Sequence, residues 1–155
     1  MIVIEAVDTA CWNAITGSRE IVTVEECGEE LQRGDPSMHG YVQVRERDIA
    51  RAIVRPLPVA ADITFRLQYP DAYRLDPGER DLLALACTLS DDFALCSCDR
   101  AAVGAAHALG WLDRVVSLQA LATSLGVRPC RPFKRQYTER QLEIWRTSLL
   151  LEAGP

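Results

Sequence analysis

The sequence predicts an α/β fold built on parallel strands, and three observations carry that expectation. Residues 93–126 run strand, helix, strand, helix, and a glycine closes each helix, which is the order of a parallel α/β unit. Asp76-Pro77-Gly78-Glu79 is a strong helix start, with an Asp N-cap and Pro at the first helical position. The body it opens, Leu82-Leu83-Ala84-Leu85-Ala86-Cys87, has little polar face and belongs in a core. The chain has 155 residues, 48% apolar and 25% charged, which suits one globular domain and excludes disordered, collagen-like and low-complexity classes.

Taken in order, apolar residues at Ile4, Val7, Cys11, Ala14 and Ile15 form a helical stripe, so the first element is a helix ending near Gly17. Glu20-Ile21-Val22 reads as a short strand. Thr23 then opens a second helix, with Glu26 completing a capping box and Val24, Cys27 and Leu31 facing inward until Gly34-Asp35-Pro36. Residues 35–45 are loop-like. Two helical stretches follow, 45–55 and 58–69, with Pro56 and Pro58 as the break between them. After the Asp76 helix, Phe93-Ala94-Leu95-Cys96-Ser97 reads as a buried strand, and Asp99 opens a helix that stops at Leu109-Gly110. Arg114-Val115-Val116 is the next strand, and Ser117 caps a helix ending at Leu125-Gly126. Thr138 and Gln141 fit a second capping box at the start of the last helix, whose inner stripe is Leu142, Trp145 and Leu149. There is no repeat and no linker, so residues 1–155 form a single domain, with a basic tail and C-terminal helix at 128–152.

Charge and cysteine usage narrow the setting. With 17 Lys+Arg against 22 Asp+Glu, the net charge of −5 argues against a generally sticky nucleic-acid binder. Basic charge nevertheless gathers locally at Arg128, Arg131, Lys134, Arg135 and Arg140, with Phe133 and Tyr137 interleaved. Arg131, Lys134 and Arg135 are the candidate RNA contacts, since Arg and Lys bind phosphates and aromatic rings stack bases. The competing reading is a solvated basic loop whose aromatics pack on the domain. Met1-Ile2-Val3-Ile4 has none of the features of a signal peptide, and no apolar run approaches the ~18 residues that span a bilayer, so the expected setting is cytoplasmic. There the six cysteines are reduced thiols. Cys96 and Cys98, with His107 nine residues on, could form half a zinc site, but a buried strand using cysteine as a small apolar filler fits the spacing better.

The chemistry-bearing candidates are acids. In parallel α/β sheets, ligands collect beyond the carboxyl ends of strands. Asp99 directly follows the strand ending at Ser97, Glu79 lies in the first turn of the buried helix, and Glu29 and Glu30 lie late on the Thr23 helix. Converging carboxylates repel one another unless a hard cation such as Mg²⁺ or Mn²⁺ neutralises them, and such ions can drive phosphodiester cleavage. Each acid also has a plain structural role open to it: Glu79 and Asp99 suit a helix first turn, and Glu29 and Glu30 suit a solvated face. Asp8, Asp91 and Asp92 read as surface or turn residues.

Leu75-Asp76-Pro77-Gly78-Glu79-Arg80-Asp81-Leu82-Leu83-Ala84-Leu85-Ala86, then Leu95-Cys96-Ser97-Cys98-Asp99-Arg100-Ala101-Ala102, then Ala105-Ala106-His107-Ala108-Leu109-Gly110, together resemble the PIN-domain proteins. These are small metal-dependent nucleases that include toxins of bacterial toxin–antitoxin pairs. The resemblance covers roughly residues 1–126. It implies a three-layer parallel sheet flanked by helices, RNA hydrolysis, and an Mg²⁺ or Mn²⁺ site at Glu30, Glu79 and Asp99, with Glu29 as the alternative to Glu30. A cognate antitoxin is the partner it implies, and the open sheet edge with the apolar C-terminal helix suits a homodimer. The family pattern also has an Asp at the end of a central first strand. Met1–Val7 resembles the segment just after that Asp, so the first strand and its acid are expected to be missing. A non-catalytic PIN-like binding module is the alternative function.

Overall fold

A computed structural model describes residues 2–89 and 92–152. Met1 and Asp91, each named in the sequence reading, lie outside the described residues. Among those described, the chain forms a mixed α/β structure of helices α1 (Ile2–Asp8), α2 (Trp12–Ser18), α3 (Glu25–Gln32), α4 (Glu46–Ile49), α5 (Val59–Gln68), α6 (Pro77–Ala86), α7 (Arg100–Ala108), α8 (Leu118–Ser124) and α9 (Glu139–Glu152). Four short strands complete it: β1 (Val22–Val24), β2 (Ile53–Arg55), β3 (Leu95–Cys96) and β4 (Val115–Val116).

The expected single helix to Gly17 is two helices. α1 ends in a left-handed residue, Ala10 at φ 60°, with Cys11 N–H donating to the Ala6 carbonyl at 2.8 Å and Ala10 N–H to that of Val7 at 3.0 Å. This is a Schellman stop with alanine where glycine is usual, so the sequence carries no glycine to announce it. The break also rotates the buried stripe, which comprises Glu5, Ala6, Cys11, Trp12 and Ile15, while Ala14 is exposed.

Thr23 does not cap a helix either. It sits inside β1, because the β-branched run Ile21-Val22-Thr23-Val24 favours extended backbone, and α3 starts two residues later with Glu25 and Glu26 in its first turn. The stretch 45–55 is likewise divided. Helix covers only Glu46–Ile49, and Ile53-Val54-Arg55 is a strand leading into Pro56, which disfavours helical backbone at the residue before it. At α9, Thr138 Oγ1 accepts the Gln141 N–H at 3.3 Å, but the Gln141 side chain accepts from Arg135 Nε at 2.7 Å. That capping box is half formed.

Four helix boundaries follow the sequence expectation. α6 begins after Asp76 with Pro77 at its first position. Asp99 caps α7, and Ser117 caps α8 through an Oγ that accepts the Ala120 N–H at 3.0 Å. Gly110, at φ 74°, closes α7 with Trp111 N–H donating to the Ala106 carbonyl at 2.8 Å.

β1 pairs in parallel with β2, and β3 in parallel with β4, in two separate two-stranded sheets. Two apolar clusters form the core. The first holds Phe65, Leu83, Leu95, Val103, Val115 and Leu142; the second holds Ala6, Trp12, Ile15, Leu118, Ala122 and Tyr137. Adjacent residues of β3 divide between them, Leu95 packing in the first and Cys96 in the second. That division is the alternation of a strand covered on both faces.

Candidate functional site

A cleft of about 1060 Å³ takes walls from both sheets, through Val22 and Thr23 of β1 and Leu95 and Cys96 of β3. Six carboxylates line it, Glu20, Glu30, Asp76, Glu79, Asp92 and Asp99, and among them Glu30, Asp76 and Asp99 bear electrically on Glu79. Asp76 and Glu79 arrive on one helix start, Glu30 on α3 and Asp99 at the start of α7.

Glu79 lies in the first turn of α6, where the helix dipole favours a carboxylate. The gain is outweighed: burial, and then the negative charges of Asp99, Asp76 and Glu30, push its pKa up to about 7. Asp99 is the N-cap of α7, and its Oδ1 accepts the Ala101 N–H at 2.6 Å and the Ala102 N–H at 3.2 Å. Its own N–H donates to Ser97 Oγ at 3.2 Å, which fixes the turn between β3 and α7. The capping bonds occupy one oxygen of the Asp99 carboxylate.

Glu30 reaches the cleft because α3 packs against the start of α6. A Cβ at Gly78 would lie 3.0 Å from both Glu30 Oε1 and Cys27 Sγ, so a side chain there would make these neighbours shift, and glycine leaves room for the close approach. The glycine of Gly78-Glu79 thus positions a glutamate from another helix beside the helix start. Glu29, the alternative by one residue, instead ion-pairs with Arg33 at 2.7 Å on the exposed side of α3, where Glu26 also pairs with Arg33 at 3.1 Å.

The three predicted acids therefore line one cleft, where Asp99, Asp76 and Glu30 raise the proton affinity of Glu79. The oxygen-rich donor set suits a hard divalent cation. Among the described residues, no group of three or more His, Cys, Asp and Glu side chains is gathered closely enough to enclose a metal ion. Cys96 is half-buried against the second apolar cluster, and desolvation pushes its thiol up to about 12, as suits a core filler.

The basic tail is placed differently from its sequence reading. Arg131 donates to both oxygens of Glu5 at 3.3 Å and ion-pairs with Asp8. Lys134 donates its backbone N–H to Glu5 Oε1 at 2.9 Å and brings its ammonium within 3.6 Å of Oε2. Arg135 is bonded to Gln141. Phe133 and Tyr137 pack into the second apolar cluster and do not stand free to stack bases. Sequence reasoning missed the reason for this arrangement. Glu5 is only 1% exposed, a buried carboxylate that requires cationic partners. The available signal was its position beside Ala6 on the inner face of α1, hidden by a stripe assigned one residue out of phase.

No helix among the described residues is long and apolar enough to cross a membrane. Comparison with protein-family models, curated proteins and solved structures finds no match to this chain.

Proposed function

We propose that the chain is a PIN-like, Mg²⁺- or Mn²⁺-dependent endoribonuclease, with helices layered on both faces of a parallel sheet and Glu30, Glu79 and Asp99 as the metal-holding residues. The observation that carries this reading is the raised pKa of Glu79, which burial and the charges of Asp99, Asp76 and Glu30 bring to about 7. Groups held at such mutual expense are common where function requires them. The division of β3 between two apolar clusters supports the layered arrangement. A divalent cation bound there would supply charge neutralisation and water activation for phosphodiester hydrolysis.

The chain's own residues do the rest. The lack of a side chain at Gly78 leaves room for Glu30 beside the start of α6, and the α7 cap holds one Asp99 oxygen, which leaves the other to ligate. Glu79 shares a proton with solvent near neutrality and releases it when positive charge arrives. RNA as substrate and a cognate antitoxin belong to the same proposal through the family resemblance; a homodimer joins it through the open sheet edge and the apolar C-terminal helix, and a cytoplasmic setting goes with them.

The test is Mn²⁺-dependent cleavage of a mixed single-stranded RNA pool by the purified chain, with a chelator control and with Glu79→Gln and Asp99→Asn. Asparagine is a good N-cap, so the second substitution keeps α7 intact. Cleavage lost in both variants is the expected result. If the native chain does not cut, or if both variants cut as well as it does, the nuclease reading fails. The absence of a close three-ligand group among the described residues favours a second reading, a non-catalytic PIN-like binding module. That reading expects no shift in melting temperature on Mn²⁺ titration.

A further inference from the structure

A second concavity, of about 520 Å³, opens between the end of α3 and residues 41–47. Leu31 and Val44, both buried, give it an apolar base, and exposed polar side chains stand around them. Apolar surface with a few placed polar groups is the usual build of a small ligand site. The loop after α3 brings an aromatic ring to its rim. Asp35 Oδ1 accepts the Ser37 N–H and the Ser37 hydroxyl, each at 2.8 Å, and the Tyr41 N–H donates to the Met38 carbonyl at 3.1 Å. With Gly40 at φ 84°, these turns bring Tyr41 back to the end of α3. A Cβ on Gly34 would lie 2.7 Å from Tyr41 Cε2 and 3.2 Å from Cδ2, so glycine leaves the ring its seat. The ring lines the groove while 36% exposed.

Positive charge stands beside the ring. Arg45 and Arg47 line the groove and make no ion pair among the described residues. The Asp48 carboxylate close by is occupied in the turn, where it accepts the Arg45 N–H at 3.1 Å. Two such guanidiniums next to an aromatic ring suit a nucleotide, since arginine binds phosphate and the ring stacks a base. Glu46, between them, offers an acceptor for a base amino group, and the amides of Gln32 and Gln43 offer donors and acceptors. An acidic peptide would meet the arginines but leave the ring unused.

Position ties the groove to the acids. Leu31 lines both the groove and the cleft, so the two meet at one side chain, and the preceding residue is Glu30 of the cleft. We infer that the groove is a nucleotide subsite for single-stranded RNA, with a base against Tyr41 and its phosphates on Arg45 and Arg47, and that it holds the strand beside the acids of the cleft. The inference rests on RNA as the substrate proposed above.

The test measures binding, not cleavage. A fluorescein-labelled single-stranded RNA hexamer of mixed sequence is titrated with the full chain in a chelator, by anisotropy, at several salt concentrations. Tyr41→Ala is expected to weaken binding about tenfold, and Tyr41→Phe, which keeps the ring face, by less than about twofold. The Arg45→Gln, Arg47→Gln double variant is expected to lower the slope of log affinity against log salt by about 1.4, at about 0.7 for each phosphate contact on a single strand. The same hexamer carrying 5-iodouridine is expected to crosslink to the peptide that holds Tyr41. No binding by the native chain, native affinity in Tyr41→Ala, or a native slope in the arginine variant overturns the inference. Where Tyr41→Ala does not fold, the exposed arginine pair and the crosslink decide, and a crosslink only elsewhere overturns it. Binding lost in these variants while the native chain cuts no RNA leaves the subsite standing and removes the nuclease reading. Cleavage by the native chain with native binding in the variants does the reverse.

Discussion

Glu79→Gln isolates the electrostatic character of the cleft. Glu79 has its pKa raised from 4.5 to about 7 by burial and by Asp99, Asp76 and Glu30. Between these values the folded chain keeps the Glu79 proton that the unfolded chain has released, so stability falls as pH rises across that window. A tenfold change in proton affinity is worth about 1.4 kcal/mol, which sets an unscreened ceiling of about 3.4 kcal/mol above pH 7. Water in the open cleft screens a half-buried side chain, and the working figure is about 1–2 kcal/mol. Glutamine keeps the shape and removes the titration. In urea unfolding with a chelator present, Glu79→Gln is therefore expected to be about 1–2 kcal/mol more stabilising, relative to the native chain, at pH 8 than at pH 4.5. Curves that stay parallel across this range would show that the carboxylates do not share a field, and would remove the main support for a cation site.

Mn²⁺ titration by calorimetry at pH 7, repeated in buffers of different ionisation enthalpy, is expected to show release of about half a proton per ion bound, because Glu79 is half protonated there; no buffer dependence would contradict this. Replacing Ala10, at φ 60°, with glycine relieves left-handed strain of about 1–2 kcal/mol but adds unfolded-state freedom, so a net gain of about 0.5–1 kcal/mol is expected in the urea midpoint. Arg131→Met leaves the buried Glu5 carboxylate with Lys134 as its remaining basic partner here and is expected to cost about 2–4 kcal/mol, with Glu5→Gln in the double variant recovering part of the loss. Asp99→Ala, which removes two capping bonds, is expected to cost about 1 kcal/mol, whereas Asp99→Asn stays near the native value.

What the sequence made legible was punctuation backed by strong local chemistry. Asp76-Pro77, Asp99, Ser117, Gly110 and Gly126 each mark a boundary through a cap, a ring constraint or a positive φ, and each stands where expected. The failures share a cause: a competing preference without a glycine or proline to flag it. Ala10 takes a left-handed conformation that no residue type announces, and Thr23 has the hydroxyl of a cap but the β-branching of a strand. Ile53 and Val54 fit a helical period until their pairing with Val22 and Thr23 decides the matter, and that pairing is a contact across 31 residues that local patterning does not contain. At the site, Glu79 and Asp99 were legible because helix starts position them. Choosing Glu30 over Glu29 requires knowing that Gly78 lets α3 approach α6.

Charge completes the argument. The apparent basic tail is divided between internal duties and display: Arg131 and Lys134 neutralise Glu5 and Asp8, whereas Arg128 and Arg140, exposed like Lys134 and Arg135, stand outside that pairing. RNA affinity through the tail should therefore respond to the exposed pair more than to Arg131, whose substitution acts first on stability. Binding measured against salt separates the two. Removing a residue that contacts phosphate lowers the slope of log affinity against log salt by about one, whereas removing one that anchors the fold leaves the slope intact in whatever fraction stays folded. An unchanged slope in Arg128→Gln and Arg140→Gln would take the tail out of RNA binding. The cleft between the two sheets would then be the place on this chain to look for the substrate.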